Sequence, residues 1–215
     1  MKANWERFTR QVRVDSSGSG VVKDLFCGER FIASLEDPDW GPTIQPLLLR
    51  AMELHDRFLS NHLSVPEIYP GRPLFVGDGA PRETELPGHP RYWLIPFIPL
   101  AAYSGSPLRR CVAKALSADP VGCASYMNVR LLGPPPDDDS EVRELVRSII
   151  IAAKPKGIVA LGGDAANQLA RVIPEESFGR APHPRWALVF KRWGEHRYGD
   201  HLVRQINAPR PGFTK

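Results

Sequence analysis

Cysteine is scarce in this chain, with three in 215 residues, and Cys27, Cys111 and Cys123 lie far apart with no CxxC among them. So odd and scattered a set argues against a disulfide framework. Long apolar runs are lacking as well: no stretch approaches the ~18 apolar residues that suggest a membrane span, and the opening MKANWERFTRQ has no signal-peptide core. The expectation is a cytoplasmic protein with no membrane role. Nucleotide-phosphate fingerprints are also missing. The conspicuous glycine pair in GIVALGGDAANQLARVI fits neither GxGxxG nor GxxxxGK followed by Ser or Thr, and Asp164 would oppose a phosphate at the helix start. Gly162 and Gly163 therefore read as structural, bringing one element close to the next. His183, His196 and His201 form no zinc-ligand pattern, so neither metal nor cofactor is expected.

What is present is ordinary globular material, 42% hydrophobic and 24% charged, with enough length for one domain and an extension. We divide it into an N-terminal extension or cap over residues 1–40 and one α/β domain over residues 41–215, expected to be monomeric. RQVRVDSSGSGVV alternates briefly before a Ser/Gly turn, which predicts a short hairpin or cap. Charge is uneven. From Gly179 to Lys215 eight Lys and Arg face two acids, a local net +6 in a chain of net +4, which suits either a polyanion partner or a solvated basic face.

Apolar positions at helical spacing predict helices in PTIQPLLLRAMELHDRFLSNHL, GSPLRRCVAKALS, the segment after the acidic run up to Lys154, DAANQLARVI and GDHLVRQINA. Between them, PLFVG, ASYMNVRLL, residues 157–161 and WALVFKR read as strands, with Trp186 starting the last and packing inward. The alternation predicts a three-layer α/β/α sandwich around a central, mainly parallel four-stranded sheet.

Ligands of open α/β sheets lie beyond the C-terminal ends of the strands. Three polar clusters fall there: GDGAPRE at residues 77–83, YMNV at 126–129 and APHPRW at 181–186. Asp78 offers a carboxylate that either stabilises developing positive charge or caps loop amides, with Glu83 as the reserve acid. His183, between Pro182 and Pro184, is either a preorganised hydrogen-bond donor or a structural histidine. Asn128 can donate and accept through one amide, either to a base edge or to loop backbone. HPRYWLIPFIPLAAYSG supplies Tyr92, Trp93, Phe97 and Tyr103, any of which can stack on a ring or simply pack in a core.

In this order the segments resemble the uracil-DNA glycosylase superfamily, nearest its small bacterial and archaeal branches. FVGDGAPRETE is similar to its first motif, YMNVRLLGPP to the strand-end Asn before a basic, proline-rich loop, KPKGIVALGGDAANQL to the segment supporting the sheet, and APHPRW to the closing His-Pro motif. The resemblance spans roughly residues 72–190 and implies Asp78 and His183 as catalytic residues, with Gly77, Gly79, Phe97, Asn128 and Arg185 contacting the substrate and Tyr92 in reserve. It departs in four places: an additional Gly79 before Ala80-Pro81, a longer and more aromatic segment around Pro96-Phe97, Arg185-Trp186 where Ser usually follows the His-Pro pair, and Leu132 in place of a cysteine. With three cysteines, the iron-sulfur cluster of some relatives is not expected.

The implied activity is a monofunctional DNA glycosylase that flips uracil or a modified pyrimidine out of DNA, hydrolyses its N-glycosidic bond and leaves an abasic site, in repair or in defence against phage. No lysine stands in the motifs as an amine nucleophile. The alternatives are a non-catalytic protein recognising damaged or modified DNA, and a small-molecule enzyme using the same strand ends.

Overall fold

Leu74 and Val76 face one apolar cluster while Phe75, between them, faces another. Side chains that alternate between two cores belong to a strand covered on both faces. The computed structural model describes residues 5–10, 12, 28–57, 63–64, 66–79, 96–97, 105–132 and 140–211. Within them the chain runs α1 (Gly28–Leu35), α2 (Gly41–Arg57), β1 (Leu63–Ser64), β2 (Leu74–Gly77), β3 (Pro96–Phe97), α3 (Gly105–Leu116), β4 (Ser125–Asn128), α4 (Ser140–Ala153), β5 (Ile158–Leu161), α5 (Gly163–Leu169), β6 (Gly179–Ala181) and α6 (Glu195–Asn207).

The main sheet has the order β4-β2-β5-β6 with every pairing parallel, and β1 pairs with β3 in a separate two-stranded piece. One face is covered by α1, α2, α4 and α5 through residues such as Phe31, Leu48, Ile149 and Leu169. The other is covered by α3 and α6 through Leu108, Val112, Tyr198 and Leu202. This is the three-layer α/β/α arrangement expected from the alternation of elements. Gly199 permits the α3–α6 contact: a Cβ there would lie 2.5 Å from the carbonyl oxygen of Cys111. Arg109 of α3 is buried and pairs with the equally buried Glu67, while its guanidinium lies 5.3 Å from the Tyr126 ring centroid.

One expectation is corrected. WALVFKR is not a strand: residues Trp186–Phe190 form a π-helical turn, Trp186 is 45% exposed, and the fourth strand is the earlier Gly179–Ala181. Five consecutive apolar residues carry no period that separates strand from helix. Pro184, with its fixed φ, sits in the first turn of helical backbone. The strand is fixed instead by its ladder to β5 and by the chain lying over Gly179, where a Cβ would meet Arg210 Nη2 at 2.8 Å. Near the N-terminus, residues 5–10 and 28–35 are helical, while most of the stretch predicted as a short hairpin or cap, residues 10–22, lies outside the described residues. Phe8, Phe31 and Leu35 are buried in the same cluster as α2 and α4.

Candidate functional site

Because β2, β4, β5 and β6 are parallel, their C-terminal ends share one edge, and the loops leaving Gly77, Asn128, Leu161 and Ala181 start side by side. β2 and β6 flank β5, so the chain positions of Asp78 and His183 stand about two strand spacings apart, on the order of 10 Å.

Register brings Gly77 opposite Asn128. The Asn128 side chain lies over the glycine: a Cβ on residue 77 would be 2.5 Å from Asn128 Oδ1. Asn128 is 8% exposed, which holds its amide in a set position at the rim. The pairing continues past the strands, with Val129 N–H donating to Gly77 O and Arg130 N–H donating to Asp78 O, both at 2.9 Å. Asp78 is thereby set beside Arg130, whose Nε is 3.2 Å from Asp78 Oδ1. That contact is an ion pair without hydrogen-bond alignment between those two atoms, and both side chains are partly exposed. Gly79 packs on the same arginine, since a Cβ there would approach Arg130 Cβ to 3.1 Å.

His183 is exposed and held by three neighbours. Tyr198 Oη donates to Pro182 O at 2.6 Å, Ala187 N–H donates to His183 O at 3.0 Å, and Arg185 N–H donates to His183 Nδ1 at 3.2 Å. With Nδ1 accepting, the neutral ring carries its proton on Nε2. Gly162 has φ +100 and donates its N–H to Ala181 O at 2.8 Å; a Cβ there would sit 3.3 Å from His183 Cβ. Gly162 thus seats the histidine loop against the end of β5, whereas a Cβ on Gly163 would meet nothing within 4 Å.

Arg185 is exposed, with its guanidinium 5.8 Å from the Phe190 ring centroid. Phe97 lies in β3, and its side chain falls outside the described residues, as do Glu83 and Tyr92. Arg130 was missed by sequence reasoning, where it registered only as part of a basic loop; its pairing with Asp78 follows from the register of two strands distant in sequence. Among the described residues no cysteine is exposed as a nucleophile: Cys111 and Cys123 are buried free thiols, and burial pushes Cys111 up to about 11 and Cys123 upward as well. Among the described residues no group of three His, Cys, Asp or Glu side chains is placed to hold a metal ion, and no helix is long and apolar enough to cross a membrane.

The arrangement offers an acceptor carboxylate at Asp78, a neutral donor at His183, an amide at Asn128 and cations at Arg130 and Arg185 along one edge. No protein-family model matches the chain, and the search of curated proteins finds no significant match.

Proposed function

We propose that this protein is a DNA glycosylase that hydrolyses the N-glycosidic bond of uracil or a modified pyrimidine in DNA. One observation carries the reading: Asp78 and His183 leave the same edge of a parallel sheet, at the ends of the two strands that flank β5, and the Arg185 amide holds the imidazole through Nδ1. Breaking the bond between C1′ and the base nitrogen puts positive charge on the sugar and negative charge on the base. The Asp78 carboxylate stabilises the first, and His183 Nε2–H donates to the base carbonyl oxygen carrying the second. Asn128 reads the pyrimidine edge through its amide. Water adds to C1′ and releases a proton as the base departs, which completes the hydrolysis.

The basic stretch from residue 179 onward, with Arg185, Lys191, Arg192 and Arg197 grouped after the histidine, supplies charge for the phosphate backbone. The Asp78–Arg130 ion pair favours a second reading, recognition of modified DNA without hydrolysis, because a carboxylate neutralised by an arginine is less able to stabilise a cationic sugar. Incubation with single-stranded and duplex oligonucleotides carrying uracil or modified pyrimidines, followed by alkaline cleavage, separates the two. Asp78→Asn and His183→Ala are expected to lower abasic-site formation by about 100-fold or more while DNA affinity stays close to wild type. DNA binding with no abasic product across the panel would leave only the recognition reading.

A further inference from the structure

We propose that the π-helical turn Trp186–Phe190 is a stacking platform for unpaired bases, so that the chain engages DNA as a single strand beside His183. The inference rests on DNA being the ligand, and not on a bond being cut.

Trp186, Val189 and Phe190 are 45%, 51% and 66% exposed and are the large exposed hydrophobics of the described chain. All three fall within five residues. The turn itself is well held: Ala187 is fully buried, its N–H donates to His183 O at 3.0 Å, its carbonyl accepts from Trp193 N–H at 2.9 Å, and Lys191 N–H closes the wide turn on Trp186 O at 2.9 Å. Widened turns of this kind occur often at functional sites.

Charge decides what can cover the patch. Lys191 Nζ lies 5.2 Å from the Trp186 ring centroid and Arg185 Cζ lies 5.8 Å from that of Phe190. Arg192 and Arg197 follow, and Glu195, the only acid from residue 185 to 197, is committed to Arg110 and Lys114. An apolar protein surface would have to bury these cations unpaired, at a large desolvation cost. A strand of nucleic acid brings flat apolar bases for the rings and phosphates for the cations. The strand state follows from the rings. A wedge driven into a duplex contacts base pairs on both of its faces, whereas Trp186 and Phe190 each already carry a cation on one face. That leaves one face per ring, which suits bases stacked on the surface of an unpaired strand. Because the Arg185 amide also holds His183 Nδ1, a strand on this platform passes the imidazole.

The test is fluorescence anisotropy with a labelled unmodified DNA strand, the same strand in a duplex, and an RNA strand of the same sequence. Single-stranded DNA is expected to bind tightest. Trp186→Ala and Phe190→Ala should each weaken it by about tenfold and change duplex affinity by less than about twofold, the size expected for loss of one stacked base. Trp186→Phe should restore most of the affinity, and circular dichroism should be unchanged because both side chains are exposed. Duplex binding as tight as single-strand binding, equal losses for both forms, or tighter binding of the RNA would overturn the platform while leaving DNA as a ligand in the first two cases. Absence of binding to any DNA would overturn the platform and the DNA reading together.

Discussion

Gly162 and His183 meet across the ends of β5 and β6, where the positive φ of the glycine (+100) and the 3.3 Å its missing Cβ would leave to His183 Cβ make residue 162 part of the histidine's seat. Gly162→Ala is therefore expected to strain the backbone and displace the His183 loop together. The stability loss should be about 1–3 kcal/mol in urea unfolding, and abasic-site formation should fall further than that loss accounts for. A variant of reduced stability with wild-type turnover would show that the loop takes up the methyl group without moving the imidazole.

Gly77 and Asn128 should behave as one unit. A methyl on residue 77 would come 2.5 Å from Asn128 Oδ1, so Gly77→Ala has to expel the amide from its position. Gly77→Ala and Asn128→Ala are expected to reduce discrimination between pyrimidines by similar factors, and the double variant should lose little more than either single one. Additive losses in that double-mutant cycle would mean that the two residues act independently.

The buried Glu67–Arg109 pair predicts a pH signature. Burial raises the Glu67 carboxyl above its ordinary range, and the Arg109 charge partly offsets that rise. A folded-state pKa above the unfolded one means that the native state keeps the proton longer, so this group's contribution is full below the unfolded carboxylate range and is lost as pH rises through the folded value. Arg109→Met removes the offset and should cost about 3–5 kcal/mol near neutral pH. The loss should shrink as pH falls and Glu67 takes up its proton, and adding Glu67→Gln should recover much of it. Equal losses as pH is lowered, measured by urea unfolding, would show that packing and not charge dominates at this site.

Helix α6 approaches α3 through Gly199, whose hypothetical Cβ lies 2.5 Å from Cys111 O and 3.0 Å from the Ala115 Cβ. Backbone cannot yield as a side-chain tip can. Gly199→Ala should therefore destabilise the protein by about 1–3 kcal/mol, despite the better helix propensity of alanine. Since Tyr198 anchors Pro182, the same variant is expected to weaken abasic-site formation as α6 shifts. A thermal midpoint equal to or above wild type would show that the two helices separate without cost.

Three of the four sheet strands were legible because Leu74–Gly77, Ser125–Asn128 and Ile158–Leu161 are short and mostly buried and stand between segments of helical period. Gly179–Ala181 was not, because Gly-Arg-Ala has little strand preference of its own; its conformation comes from the β5 ladder and from the residues lying over Gly179. WALVF misled for the opposite reason, since its residues favour a strand while the chain around Pro184 and the buried Ala187 turns them into a π-helix.

By itself, then, the amino-acid order determined the layered α/β plan and the three loops that carry Asp78, Asn128 and His183, because burial periodicity and strand ends are local properties of the chain. Only the folded arrangement decided that Arg130 stands against Asp78, that Gly77 makes room for Asn128, and that Trp186 and Phe190 face outward among cations. The first two depend on the register between segments some 50 residues apart, and the third on how a turn is held by its neighbours, which no stretch of sequence specifies on its own.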